Sequence, residues 1–185
     1  GSATHIMRIV DYRLTRFQFA RDRVIGDSQV KIAHANVATL ELISDTGLSG
    51  LGFVFSLFNP LPALGEIERI FRAEIWPSLE GEDPAALAHR VRRPRGGNIR
   101  GASLPFGEGI DQAVWDLTAK QLGLPLWKLL GGTKPRVKAY ASGLDYHLSD
   151  EDYCALFAHA ASVGYTAFKI KVGHPDIERD LHRLD

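Results

Sequence analysis

From Arg8 to Phe17 apolar and polar residues alternate, with Val10, Tyr12 and Leu14 opposed to Asp11 and Arg13, and this period of two predicts a strand. Mixed charge and Gly26-Asp27-Ser28 break the pattern over 18–33, which reads as a long, lid-like loop. A second strand is expected from Ala35 to Ser44, a turn at Asp45-Thr46-Gly47, and a third strand from Ser49 to Phe55, ended by Asn59-Pro60. The period then becomes helical. Leu64, Ile67, Ile70, Phe71 and Ile75 form one stripe between Pro62 and Trp76. Asp83-Pro84 supplies an N-cap and a first-turn proline for a short helix to about Arg93. After a Gly- and Arg-rich loop, the longest helix is expected within Glu108–Leu122, burying Ile110, Ala113, Val114 and Leu117 and closed by Gly123 and Pro125.

Beyond Gly131-Gly132 the rhythm changes. Val137 to Ala141 reads as a short strand, and Ser149 with Asp152 as an approximate capping box. The helix it opens runs to Ser162 with Gly164 as its stop, and a second strand covers Tyr165 to Val172. Asp176 caps a last helix that is still running at Asp185. Strand, helix, strand, helix at this spacing is a βαβ unit with a parallel pair. The organisation expected is therefore an expression scar over 1–6 before Met7, an α+β domain over 7–133, and an unfinished α/β domain over 134–185. Two parallel strands cannot close a sheet, so the sequence reads as the N-terminal piece of a longer protein.

Composition narrows the function classes. The 185 residues are 45% hydrophobic and 24% charged, a globular balance. Lys+Arg and Asp+Glu are 22 each, so no basic field for nucleic acid arises. The lone Cys154 excludes an internal disulfide framework and, inside a helix without a histidine partner, reads as core. No apolar run is long enough to span a membrane, and no cleavable secretory segment is visible, so the cytoplasm is the default compartment.

The most informative stretch is Phe168-Lys169-Ile170-Lys171-Val172-Gly173. On a strand, Phe168, Ile170 and Val172 share one face, and Lys169 and Lys171 share the other, about 7 Å apart. Of seven lysines, two thus crowd one face at the C-terminal end of one strand, where a parallel barrel carries its active site. Each ammonium makes its neighbour easier to deprotonate, and a lysine able to lose its proton near neutrality is a competent general base. The other reading is that both side chains snorkel to solvent.

Lys169-Ile170-Lys171-Val172-Gly173, with His174-Pro175-Asp176 and Asp180-Leu181 after it, resembles the Lys-x-Lys strand of the mandelate racemase/muconate lactonizing enzyme branch of the enolase superfamily. Ala113-Val114-Trp115-Asp116-Leu117, Leu129-Leu130-Gly131-Gly132, Ala139-Tyr140-Ala141-Ser142 and the Asp45-Thr46-Gly47 hairpin are similar to that family's pattern, in the same order. The resemblance implies an α+β capping domain followed by the start of a modified (β/α)8 TIM barrel. It implies Lys171 as the acid/base that moves the proton α to a carboxylate, and Lys169 as the neighbour that tunes it. It also implies Mg2+ to stabilise the enediolate, with ligands beyond Asp185. The substrate class expected is a small carboxylate, a sugar acid undergoing dehydration, with racemisation or cycloisomerisation of a related acid as the alternative. A homo-oligomer is implied as well.

By the same resemblance the 18–33 loop and the Phe55–Pro60 turn would close over substrate. Arg21, with Arg23 and Lys31, would neutralise a carboxylate, Phe58 would screen water, and Ser142 at the end of the first barrel strand would line the site. Each has a plainer reading as a solvated charge or an edge aromatic. The other histidines lack ligand spacing, and Asp111 and Asp116 lie apart around their helix. Arg90-Val91-Arg92-Arg93-Pro94-Arg95 is the only basic run, read as a solvated face or subunit contact. A non-catalytic capping or binding module, and a nucleic-acid binder, stand as the other function classes.

Overall fold

In the computed structural model, which describes residues 5–57, 59–88 and 107–185, the chain begins with a sheet in the order β1 (Ile9–Gly26), β2 (Lys31–Ser44), β3 (Ser49–Ser56). The expected meander is therefore present, but the 18–33 loop is not. β1 and β2 run through it as a long hairpin whose turn is only 27–30. Asp27 makes that turn, its carboxylate accepting the N–H groups of Gln29 and Val30 at 2.9 and 3.1 Å. Mixed charge was a misleading signal, because a ladder satisfies the backbone whatever the side chains do. A second expectation fails at the start of β1. Ile9 is fully buried and Val10 is half exposed, while Tyr12 and Leu14 do pack on the core, so the alternation flips between Ile9 and Tyr12.

The structure divides into two compact units. The first comprises Gly1–Phe19 and Ala35–Thr133. β2 and β3 pair antiparallel from Asn36↔Ser56 to Ile43↔Ser49, and Ala38, Leu40, Leu42 and Val54 face its core. Helix α1 (Leu64–Ile70) passes into a π turn (Phe71–Ile75) and a 3-10 turn (Trp76–Ser78). Pro77 lacks the N–H that an α-helix would need there, which accounts for the change of winding. Ile67, Phe71 and Ile75 from this segment are buried as the stripe predicts, whereas Leu64 is exposed and Ile70 only half-buried. α2 is Pro84–Ala88, with Asp83 accepting the Ala85 N–H.

Helix α3 (Gly107–Gln121) buries Ala113, Val114 and Leu117 completely. It lies against β3, where Gly50 and Gly52 leave room for its backbone. Its polar side also serves the strand: Gln112 accepts the Phe53 N–H at 3.2 Å, and Asp116 accepts the Leu51 N–H at 2.9 Å. Asp116 is thus a structural edge cap. α4 (Leu126–Leu129) follows. Arg90–Arg95, the Gly- and Arg-rich loop and Phe58 lie outside the described residues.

The second unit comprises Ala20–His34 and Lys134–Asp185. β4 (Ala141–Ser142) pairs parallel with β5 (Phe168–Lys169), and α5 (Asp150–Ser162) connects them. This is the expected βαβ unit, with shorter strands than the sequence suggests, since Val137 is 86% exposed and outside the ladder. The N-cap half of the capping box forms: Ser149 Oγ accepts the Asp152 N–H, and the Asp152 carboxylate accepts the Ser149 hydroxyl. α6 (Ile177–His182), capped by Asp176, ends before Asp185. Cys154 is exposed on α5 and is not core. No described helix is long and apolar enough to cross a membrane.

Candidate active site

The parallel register aligns Ala141 with Phe168 and Ser142 with Lys169. Phe157 of α5 meets the Phe168 ring edge-on, with centroids 5.8 Å apart. α5 therefore covers the Phe168 face. By strand alternation and register, Ser142 and Lys169 leave the opposite face together, and Lys171 follows two residues beyond the end of β5. Ser142 and Lys169 are exposed there and Lys171 is half-buried. A hydroxyl and an amine paired at the C-terminal ends of parallel strands, with a second amine two residues on, can hold an anion and exchange a proton with it.

The loops behind these strand ends are held by α6. The Asp180 carboxylate accepts the N–H groups of Gly173 at 2.7 Å and His174 at 2.9 Å. These two hydrogen bonds hold its pKa below the ordinary aspartate value. Gly173 has φ +110°, a conformation that side chains rarely adopt, and a Cβ there would press on Ser28. Arg179 donates to the Tyr146 carbonyl and lies over the Tyr146 ring. Arg183, almost wholly buried, reaches the Leu148 and Asp145 carbonyls and the Asp150 carboxylate. Tyr153, under that guanidinium, has its pKa raised by burial and by the Asp145 charge.

The hairpin tip belongs to the same unit. Arg23 donates to the Gly143 carbonyl at 2.6 Å, the Gly26 N–H to the Leu144 carbonyl at 3.2 Å, and His147 Nε2 lies 2.8 Å from the Val30 carbonyl. Arg23 is thereby committed to backbone. Arg21 is half-buried, and its Nε has no hydrogen-bond partner among the described residues. Lys31 is exposed. The structure thus pairs Ser142 with Lys169, leaves Lys171 just past the strand end, and sets Arg21 on the hairpin.

Asp145 and Asp180 carry no marked sequence signal. Asp145 is fully buried at the end of β4, a position where a strand-end carboxylate after Gly-Leu could have drawn notice. Among the described residues no group of three or more His, Cys, Asp or Glu side chains could hold a metal. These residues therefore do not form a magnesium site.

Residues 23–131 match the family model of the mandelate racemase / muconate lactonizing enzyme N-terminal domain. A crystal structure from Mesorhizobium loti, of a protein provisionally named a mandelate racemase, superposes with TM-score 0.87 at 60% identity, covering 96% of this chain and 46% of that one. The L-talarate/galactarate dehydratase of Salmonella typhimurium LT2, solved with Mg and L-lyxarohydroxamate, superposes with TM-score 0.75 at 25% identity over 100% of this chain and 49% of its own. The 3,6-anhydro-alpha-L-galactonate cycloisomerase of Streptomyces coelicolor is 38% identical over 90 residues, which are 49% of this chain and 24% of that enzyme. The chain spans about half the length of these solved structures and a smaller part of the cycloisomerase.

Proposed function

Because the chain belongs to the mandelate racemase / muconate lactonizing enzyme family, we propose that its protein removes the proton α to a carboxylate, with Lys171 as the acid/base, and dehydrates an acid sugar. The observation that supports this reading is the Phe157–Phe168 contact, which puts α5 on the Phe168 face and leaves the Lys169 face, with Lys171 two residues on, uncovered by that helix. The neutral Lys171 amine accepts the α-proton while the C–H electron pair moves into the carboxylate. The electron pair then returns to form the Cα–Cβ double bond as the neighbouring C–O bond breaks, the departing hydroxyl takes the proton from the Lys171 ammonium and leaves as water, and the resulting enol ketonises to a 2-keto-3-deoxy acid. Lys169 and the Ser142 hydroxyl bind substrate oxygens beside the reacting carbon. Arg21 offers a guanidinium to a distal carboxylate. Magnesium, held by residues outside the described set, would neutralise the enediolate, as the dehydratase relative solved with Mg suggests.

Dehydration is favoured over racemisation by the L-talarate/galactarate dehydratase relative. The test is α-proton exchange by the whole protein in D2O with galactarate, L-talarate, D-galactonate and mandelate. Exchange with a sugar acid, accompanied by a 2-keto-3-deoxy product, is expected. Exchange and stereoinversion of mandelate alone would replace the dehydratase reading with the racemase one. Undiminished exchange in a Lys171→Ala variant would remove the mechanism.

A further inference from the structure

The β4–β5 ladder stops one rung early, at the residue on which the proposed chemistry depends. The register of Ala141↔Phe168 and Ser142↔Lys169, with the Ala141 N–H donated to Ala167, would next give the Lys171 N–H to the Gly143 carbonyl. That carbonyl is instead taken by Arg23 at 2.6 Å. The Lys171 N–H goes to the side chain of Asp145, with Oδ2 at 3.3 Å.

Several features converge on this exchange of partners. Leu144, between Gly143 and Asp145, has φ +48°, a left-handed conformation costly for a leucine. It turns β4 away from the ladder just before Asp145. A Cβ on Gly143 would collide with Leu156, so α5 seals the bend from behind. The Asp145 side chain is fully buried, and its Oδ1 has no hydrogen-bond partner among the described residues. Its backbone carbonyl is fixed by Arg183 at 3.4 Å. Burying a half-satisfied carboxylate is unfavourable for stability, and such groups persist where they serve a site.

We infer that Asp145 is a positioning residue: from behind the sheet its carboxylate replaces a strand carbonyl and sets the backbone, and so the direction, of Lys171. This inference rests on the reading of Lys171 as the acid/base. Arg23 holds the Gly143 carbonyl on the other side of the exchange and ties the hairpin tip to the same device.

The experiment compares Asp145→Asn, which keeps an oxygen acceptor, with Asp145→Leu, which has none. Both are assayed in the whole protein, per folded molecule, with the sugar acid that exchanges in the screen above and with its α-deuterated form. Asp145→Leu is expected to lower kcat at least tenfold with KM within about twofold, and to raise the deuterium isotope effect on kcat, because a misaimed amine slows proton transfer itself. Asp145→Asn is expected to stay within about threefold of the parent on every count. A merely structural aspartate would lower the folded fraction and leave the isotope effect unchanged. An unchanged isotope effect and kcat in Asp145→Leu, or an equal loss in Asp145→Asn, would overturn the assignment. Lys171→Ala is assayed alongside. If it abolishes exchange while Asp145→Leu is silent, only the Asp145 assignment falls; if it retains exchange, both readings fall. Should Asp145→Leu not fold, amide hydrogen exchange in the unmodified protein decides: a protected Lys171 N–H supports the hydrogen bond, and one exchanging at the open-chain rate overturns it.

Discussion

Phe157 on α5 meets Phe168 on β5 with ring centroids 5.8 Å apart and planes at 87°, and this one contact settles which face of the strand belongs to the helix. The edge-on geometry places the positive rim of one ring on the negative face of the other. Tyr153 extends the cluster along α5, 4.9 Å from Phe157. Phe157 is half-buried, so Phe157→Ala should destabilise the second unit by about 2 kcal/mol, less than a fully buried phenylalanine would cost. Phe157→Leu should cost under half of that. Urea unfolding followed by far-UV circular dichroism reads both, and equal stability of Phe157→Ala and the parent would detach the helix from this role.

The two lysines should respond differently to replacement. Lys171→Ala is expected to reduce α-proton exchange on the order of a thousandfold, the usual scale for losing a positioned base. Lys171→Arg should be no better, because a guanidinium keeps the charge but cannot give up its proton. Lys169→Ala should retain measurable exchange with a raised KM. Neither alanine variant should shift the melting temperature by more than about 2 °C, since Lys169 is exposed and Lys171 is only half-buried. Recovery of exchange in Lys171→Arg would show that only charge is needed there.

Much of this architecture was legible from periodicity. The meander, the α1 and α3 core stripes, the Ser149 capping box and the βαβ unit follow from apolar spacing and cap residues, whose effects are local. What escaped the sequence was set by pairing between distant segments. The 18–33 stretch looks like a loop by composition, yet β1 and β2 satisfy each other's backbone there. The strands near Val137 and Val172 looked long by pattern, yet their ladder ends at Gly143, whose carbonyl is claimed by an arginine 120 positions earlier. Cys154 fits a helical pattern but falls on the exposed side of α5. For the candidate site, alternation suffices to set Lys169 opposite Phe168, but β5 ends there, before Lys171. The role of Asp145 could not be read from it, because a side chain bonding a backbone N–H 26 residues away leaves no periodic trace.

Asp180 predicts a specific acid response. Its two backbone donors, Gly173 and His174, depress its pKa below 3.8. A carboxylate with a depressed folded value stabilises the native state above its unfolded pKa, and that contribution is lost as pH falls through the folded value. The turn after β5 should therefore stay intact through pH 4 and loosen only at lower pH. In a two-dimensional NMR titration the Gly173 and His174 amide signals should move together with one midpoint below 3.8. In Asp180→Asn that transition should vanish. A midpoint at or above the ordinary aspartate value would mean that the two N–H groups do not favour the charged form.

The seat of α3 on β3 predicts opposite signs for two glycine-to-alanine changes. A Cβ on Gly52 would run into the Gly109 carbonyl, and one on Gly50 into the Ala113 carbonyl; both obstacles are helix backbone, which cannot swing aside as a side chain can. Gly52→Ala should therefore lift α3 from the sheet and destabilise the first unit by about 2–3 kcal/mol, the range for overpacking. Lifting the helix would also part Gln112 from the Phe53 N–H and Asp116 from the Leu51 N–H, so those two amides should lose protection from hydrogen exchange before the rest of β3 does. Gly65, within α1, meets nothing within 4 Å of an added Cβ. Gly65→Ala should accordingly stabilise the protein by about 0.5–1 kcal/mol, through helix propensity and a less flexible unfolded chain. Parallel urea denaturation of the two variants measures both signs. A Gly52→Ala protein as stable as its parent would mean that helix and strand do not approach as closely as the structure requires.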